Sequence, residues 1–254
     1  MKVVPVPTLS DNYAYLLIDE STNTAAAVDP AEPEKVLRAA LDQGVSITTV
    51  LATHKHWDHS GGNAAMKTSI PDVEIIGGAT EGVEACTKAV EDGEQFMLGE
   101  NVTIRCIHTP GHTMGHTCYY AVDGDSKAVF TGDTLFIGGC GRFFEGTARD
   151  MHPSLCLKLG ALPPDTAVYC GHEYTLANYR FALSVDPENA ALREAQATAQ
   201  ATIDNGGYTV PSTIGKELAT NPFMRPDASN LQEKTETQNP IECLAAIRAM
   251  KDRF

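Results

Sequence analysis

The sequence has no surplus of positive charge. Its 254 residues carry 19 Lys and Arg against 33 Asp and Glu, a formal net charge of −14. That argues against nucleic acid and anionic membranes as partners, because both need a basic surface, while leaving room for a small basic pocket. It also has no closely spaced cysteine pair. The 7 cysteines are odd in number and scattered from Cys86 to Cys243 with no C-x-x-C. A disulfide framework is therefore not expected; most should be small buried apolar residues in a reducing compartment. No apolar run approaches the ~20 residues that cross a bilayer. The opening Met-Lys-Val-Val-Pro-Val-Pro lacks both the apolar core of a signal peptide and an Arg-rich transit helix. There is no internal repeat and no low-complexity segment. The expectation is a soluble monomer of the cytosol, or of the mitochondrion where a longer precursor exists.

What is present is concentrated. Thr53-His54-Lys55-His56-Trp57-Asp58-His59 packs three imidazoles and one carboxylate into six residues, directly after a β-like run. Imidazole nitrogen and carboxylate oxygen together suit zinc, and also iron or manganese. No packing role needs so many titratable groups in one place, so H-x-H-x-D-H reads as a metal site.

The first two thirds alternate short β-rich runs with loops and helices. Strands are expected at 13–18, 25–28, 47–52, 73–76, 102–107, 117–122, 128–131 and 167–170, and helices at 34–41 and 62–68. Four strand ends then share a feature. The His54–His59 cluster follows one, Thr109-Pro110-Gly111-His112 another, and Gly132-Asp133 and Gly171-His172 two more. A sheet scaffold gathers a site from distant sequence in this way. Singly, His112 could be a turn residue, Asp133 a cap and His172 a core histidine. Beside H-x-H-x-D-H they become candidate ligands. Seven ligands suit two metals about 3.5–4 Å apart. From about residue 173 the chain turns helical. Ala190–Ile203 is rich in Ala, Gln and Glu, Pro211-Ser212-Thr213 leads into a helix over 214–219, and Asn239-Pro240-Ile241-Glu242 places a cap, a first-turn proline and a glutamate before a terminal helix.

H-x-H-x-D-H, T-P-G-H-T, T-G-D-T-L and G-H-E-Y together resemble the metallo-β-lactamase superfamily. Gly138-Gly139-Cys140-Gly141-Arg142-Phe143-Phe144-Glu145-Gly146-Thr147, Asn221-Pro222-Phe223-Met224-Arg225 and the C-terminal Arg248/Lys251 narrow the resemblance to the hydroxyacylglutathione hydrolase (glyoxalase II) family, over essentially the whole chain. The resemblance implies an α+β fold: a metallo-β-lactamase-type αβ/βα sandwich over 1–172, followed by an all-helical substrate-binding domain over 173–254. It implies that His54, His56 and His112 hold one divalent metal ion, that Asp58, His59 and His172 hold a second, and that Asp133 bridges them. Zinc is the expected metal, with iron and manganese as alternatives. It implies a thioesterase that converts S-D-lactoylglutathione and related S-(2-hydroxyacyl)glutathiones to glutathione and a 2-hydroxy acid, the second step of methylglyoxal detoxification. His116, four residues after His112, is not a ligand position in the family and is expected to support the ligands. His108 and His152 are expected to be structural.

The chemistry agrees. Two divalent ions bring four positive charges, the two aspartates return two and a hydroxide a third, which leaves charge to hold an oxyanion. Metal coordination lowers the pKa of water to about 7, and Asp58 is the residue expected to orient that nucleophile. A thiol of pKa about 8.5 departs without a strong acid. Glutathione conjugates carry carboxylates, so cations and donors are needed. Arg142, Phe143, Phe144, His172, Tyr174, Arg248 and Lys251 match the family's substrate-contacting positions, the Arg142–Phe144 stretch through its backbone. Many relatives carry tyrosine at position 144; phenylalanine removes that hydroxyl. On a helical projection, Arg248 and Lys251 emerge on the stripe marked by Ile241, Leu244 and Ile247, where a charge needs a partner.

Four other readings compete. A one-iron glutathione persulfide dioxygenase needs fewer ligands and lacks the helical extension with Arg248 and Lys251. A nuclease of the superfamily is disfavoured by the charge of −14, a β-lactamase by the lack of an export signal, and a non-catalytic binding protein by the complete ligand set.

Overall fold

The computed structural model describes residues 1–254. Two six-stranded sheets face each other. The first contains β1 (Lys2–Thr8), β2 (Asn12–Asp19), β3 (Thr24–Val28), β4 (Ser46–Leu51), β5 (Glu74–Gly78) and β6 (Lys88–Val90), in sequence order. The second contains β7 (Gln95–Leu98), β8 (Val102–His108), β9 (Thr117–Asp123) and β10 (Ser126–Gly132). A short hairpin, β11 (Leu135–Phe136) and β12 (Gly139–Cys140), precedes β13 (Ala167–Cys170), and β14 (Ser212–Thr213) closes the second sheet in the order β14-β13-β10-β9-β8-β7.

Period-2 alternation explains the layers. In β2 every residue is buried, because both faces are covered. Tyr13, Tyr15 and Leu17 enter the core between the sheets, whereas Ala14, Leu16 and Ile18 face an outer core under the helices Pro33–Gln43 and Asn63–Ser69. On the second sheet, Phe130 points inward and Val129 outward, onto a third core with Leu155, Leu159, Phe223, Leu244 and Ile247. The result is a helix–sheet–sheet–helix sandwich.

The strands expected from sequence all form, most of them a residue or two longer. The expected helices at 34–41 and 62–68 are Pro33–Gln43 and Asn63–Ser69. Sequence reading did not anticipate β1. It carries Pro5 and Pro7, which weaken a strand reading, but it pairs only with β2. At a sheet edge, two prolines of the same parity lose only outward-facing donors. A helical stretch over Ala148–His152, continuing through a widened turn at Pro153–Leu159, was also unanticipated.

Beyond residue 173 five α-helices follow, Thr175–Val185, Ala190–Asp204, Ile214–Thr220, Ser229–Thr235 and Pro240–Asp252, with a 3-10 turn at Pro222–Met224. Asn189, Thr213 and Asn239 each accept a backbone N–H three residues on, so side chains cap three of them. This region is interleaved with the sandwich. Tyr179 and Leu192 complete the inter-sheet core, Phe223 and Leu244 the outer one, and β14 pairs antiparallel with β13. No helix is long and apolar enough to cross a membrane. All 7 cysteines are free thiols.

Candidate metal centre and substrate cavity

The four strand ends bearing His54–His59, His112, Asp133 and His172 meet at one end of the sandwich. Backbone hydrogen bonds join the sheets there: Thr117 N–H donates to Thr53 O at 2.9 Å and Tyr13 N–H to Gly171 O at 2.8 Å. His54 and His56 lie on the extended exit from β4, whereas Asp58 and His59 fall in the turn Trp57–Ser60. The chain bends between the two pairs, so one short motif serves two clusters.

In the first cluster, His56 Nδ1 lies 3.0 Å from His54 Nε2 and 3.0 Å from His112 Nε2. In the second, His59 Nε2 and His172 Nε2 are 3.3 Å apart, with Asp58 Oδ2 at 3.7 and 3.5 Å from them. Asp133 stands between. Its Oδ2 is 3.4 Å from His112 Nε2, and its Oδ1 is 3.3 and 3.4 Å from the Nε2 atoms of His59 and His172. All seven sequence candidates therefore converge. The clusters are contiguous: the rings of His54 and His59 are 4.2 Å apart, and His54, His59 and Asp133 also fall within one donor group.

The opposite ring edges show which atoms face inward. His54 Nδ1 lies 3.0 Å from Thr53 Oγ1, His59 Nδ1 3.0 Å from Asp29 Oδ2, His112 Nδ1 2.8 Å from Arg142 O, and His172 Nδ1 2.9 Å from Asp11 Oδ1. With those protons directed outward, four Nε2 lone pairs and the Nδ1 of His56 converge on the interior. Such convergence is repulsive unless a cation fills it. Donors about 2.0–2.1 Å from a tetrahedral zinc stand roughly 3.3 Å from one another, which is the spacing present. Asp133 Oδ1 is buried and accepts no hydrogen bond, as a carboxylate oxygen reserved for a metal would be. The donor set fits two divalent metal ions.

The electrostatics show how strongly the cluster attracts positive charge, which protons supply where no metal is bound. Burial and the neighbouring imidazoles hold His54 well below the ordinary histidine range. Burial also disfavours the charged form of His59, but the carboxylates of Asp133 and Asp29 outweigh it and raise its pKa. Burial pushes Asp133 up, and His59 and His172 more than reverse this. The centre is a largely buried charged cluster, open on one side, where preorganised groups act strongly.

A cavity of about 370 Å³ opens beside His112 and Asp133. Arg142, Phe144, Tyr174, Arg248 and Lys251 line it. Tyr174 stacks on His172, ring centroids 4.6 Å apart and 6° from parallel. Burial raises its pKa to about 12, so it presents a neutral hydroxyl. Phe144 is exposed, its ring edge-on to His56 and tilted at 55° to His112. Arg248 is buried, donating from Nη1 to Cys140 O at 2.9 Å and pairing with Asp252 at 3.0 Å. Its Nε is buried without a partner. Lys251 Nζ donates to Asn178 Oδ1 at 2.7 Å. Arg142 is mostly exposed, its Nε 3.4 Å from Asp252 Oδ1. Phe143 does not join them: its side chain packs against the outer core and lines a separate surface depression, which leaves only its backbone near the cavity.

Known proteins share this architecture. Residues 9–172 match the family model of the metallo-β-lactamase superfamily, and residues 173–254 match that of the hydroxyacylglutathione hydrolase C-terminus. The cytoplasmic hydroxyacylglutathione hydrolase of Arabidopsis thaliana is 49% identical, over 100% of this chain and 99% of its own. That of a Synechococcus strain is 42% identical over 100% of both. The chain belongs to the hydroxyacylglutathione hydrolase family. Among solved structures, ETHE1 from Myxococcus xanthus superposes with a TM-score of 0.67 at 25% identity, covering 99% of this chain and 98% of that one.

For a hydroxyacylglutathione hydrolase, the residues that sequence reasoning passed over are those behind the ligands. Asp29 accepts from Thr53 N–H at 2.8 Å and Thr53 Oγ1 at 2.7 Å while holding His59. Asn12 Nδ2 donates to Asp58 Oδ2 at 3.1 Å and to Asp58 O at 3.0 Å. Asp29 stands at a strand end, as the ligands do, and that placement was the available signal. Asp11 and Asn12 look like ordinary turn residues. His116 stacks on His54 at 5.1 Å, and its Nε2 accepts Asp133 N–H at 3.3 Å. It therefore supports both a histidine and the central carboxylate. Gly132 turns with φ +44; a Cβ there would meet Thr53 Oγ1 at 2.4 Å, so only glycine lets Asp133 approach this closely.

Proposed function

We propose that this chain hydrolyses S-(2-hydroxyacyl)glutathione thioesters, with S-D-lactoylglutathione as substrate, giving glutathione and D-lactate. One observation carries the reading: the two oxygens of Asp133 face two donor clusters at the floor of a cavity whose wall holds Arg248 and Lys251. His54, His56 and His112 would hold one divalent ion, and Asp58, His59 and His172 the other, with Asp133 shared. Zinc is our assignment, and the donors also suit iron or manganese. When bound, the ions supply Lewis-acid activation of water and of the thioester carbonyl.

The residues do the rest. Asn12 fixes the Asp58 carboxylate, which aligns the attacking water and accepts its proton. The hydroxyl of Tyr174 and the cations Arg142, Arg248 and Lys251 hold the polar ends of glutathione. The Arg142–Phe144 backbone runs beside it, and the ring of Tyr174, stacked on His172, walls the cavity. Phe144 offers an apolar edge with no hydroxyl. The sulfur leaves as thiolate, so no general acid is required. We divide the chain at residue 172: every metal donor lies at or before it, and the region after it adds Tyr174, Arg248 and Lys251 to Arg142 for glutathione binding. One chain supplies every group in the site, which supports a monomer, and the charge of −14 supports a small-molecule rather than a nucleic-acid partner.

The direct test is thiol release from S-D-lactoylglutathione by metal-loaded protein, beside the D-lactoyl thioester of N-acetylcysteamine. The glutathione thioester should be cleaved with much the higher kcat/KM. Equal rates on both would remove glutathione from the proposal.

The pH dependence is a second check. Burial, then the neighbouring Arg248, lowers the pKa of Lys251 to about 8. Lys251 is therefore charged below that pH and neutral above it. Since kcat/KM reports groups of the free enzyme, it should fall for S-D-lactoylglutathione as pH rises through about 8. Lys251→Arg, which stays charged, should flatten that limb. An unchanged limb in Lys251→Arg would assign it to another group.

A further inference from the structure

The hairpin Leu135–Cys140 links the metal-donor loops to the buried Arg248 and the half-buried Lys251, the first directly and the second through Asn178. Arg248 donates to Cys140 O at 2.9 Å. Lys251 donates to Asn178, whose Nδ2 donates to Ile137 O at 3.0 Å. The hairpin is secured from the opposite side by two fully buried residues of the helical region. Asn221 Nδ2 lies 3.2 Å from Phe136 O and 3.0 Å from Gly139 O, so one amide ties both strands. Glu217 Oε2 accepts Gly138 N–H at 2.8 Å and the Asn221 amide at 3.0 Å, and Ser212 donates to Oε1 at 2.5 Å. Asn221 also accepts Phe223 N–H at 3.0 Å, and the Phe223 ring lies under the Arg248 guanidinium at 5.2 Å. Asn221 thus fixes both surfaces on which that guanidinium rests: the carbonyl side through Gly139–Cys140 and the ring through Phe223.

We propose that Asn221 and Glu217 form a positioning unit for glutathione recognition, setting the register of the Leu135–Cys140 hairpin and through it the placement of Arg248 and Lys251. Neither residue lines the cavity beside the metal donors. They act through the hairpin, and they give the Asn-Pro-Phe-Met-Arg segment a role beyond packing. The inference rests on the thioesterase reading of the site.

The geometry separates the unit from general stability. The metal donors are oriented by Thr53, Asp29, Arg142 O and Asp11, none of which Asn221 touches. Loss of its amide should therefore loosen the cations and leave the donors in place. Glu217→Gln is the conservative counterpart. Its amide oxygen can still accept from Gly138 and Asn221, and its NH2 can donate to Ser212.

The test measures kcat and KM for S-D-lactoylglutathione and for the D-lactoyl thioester of N-acetylcysteamine, together with metal content and Tm. Asn221→Ala should raise KM for the glutathione thioester roughly five- to tenfold, the effect of weakening about one charge-assisted contact. Its kcat should stay within about twofold, metal content should match the parent, and the N-acetylcysteamine thioester should be unaffected. Glu217→Gln should keep the parent KM. Should Asn221→Ala fail to fold, Asn221→Ser, which retains an acceptor for Phe223 N–H, is read by calorimetric affinity for the product glutathione, expected to weaken by a similar factor. A folded Asn221 variant with lowered Tm but the parent KM and glutathione affinity would overturn the proposal, as would one that loses metal. A metal-loaded parent that does not cleave S-D-lactoylglutathione would overturn the function itself and this proposal with it; an active parent with unchanged Asn221 variants overturns only the latter.

Discussion

Asp58→Ala should lower kcat on S-D-lactoylglutathione by about a hundredfold to ten-thousandfold, the range for loss of a positioned acid–base group. Asp58 Oδ2 stands 3.5 Å from His172 Nε2 and 3.7 Å from His59 Nε2, and Asn12 pins it at 3.1 Å. The inner Nε2 atoms of those two rings face one other carboxylate, Asp133 Oδ1, while Asp29 and Asp11 hold the outer Nδ1 atoms. The substitution thus removes the group that aligns water and one donor of the second cluster. KM should change far less, since Arg248 and Lys251, proposed to bind glutathione, stand on the terminal helix. Steady-state kinetics with metal analysis checks both: kcat falls, and the metal-to-protein ratio falls from two toward one. A variant with near-normal kcat would show that Asp58 neither ligates nor orients the nucleophile.

The second large effect is in binding. Arg248→Ala/Lys251→Ala should raise KM for S-D-lactoylglutathione by roughly a hundredfold, about tenfold for each charge-assisted hydrogen bond of ~1.5–3 kcal/mol. Arg248 is buried between Cys140 O and the Phe223 ring, so a carboxylate at its cavity edge meets a largely desolvated guanidinium. Such contacts exceed those of exposed ion pairs, which are worth ~0–1 kcal/mol. Arg142, largely exposed, should matter less. High salt should raise the parent's KM, because part of the attraction is long-range. The N-acetylcysteamine thioester should be cleaved equally poorly by parent and double variant. A folded double variant with the parent KM would remove these residues from the glutathione site.

The converging candidate donors were legible in the sequence because coordination demands particular residue types, and H-x-H-x-D-H supplies four of them together. His112, Asp133 and His172 were legible because each follows a β-like run, and strand ends converge. The groups behind them were not. Asp11, Asp29 and Asn12 have the composition of turns, and only the fold shows that they hold His172, His59 and Asp58. The terminal helix was readable from periodicity: Arg248 emerges from the buried stripe with Leu244 and Ile247. The interleaving of the two regions was not, because composition changes near residue 174 as it would at an ordinary boundary. Tyr179, Leu192, Phe223 and β14 nevertheless complete cores and a sheet begun by the first region. Those long-range partners leave no local signature. Pro5 and Pro7 hid an edge strand for the same reason: tolerance of proline depends on having no neighbour on one side.

Metal titration tests the account most directly. Metal-free protein is titrated with zinc while thiol release from S-D-lactoylglutathione is followed at each addition. The seven converging donors and the divided carboxylate of Asp133 predict no activity without metal, and full activity reached only at two equivalents per chain. Full activity in protein shown to be metal-free, or saturation at one equivalent, would contradict the binuclear centre.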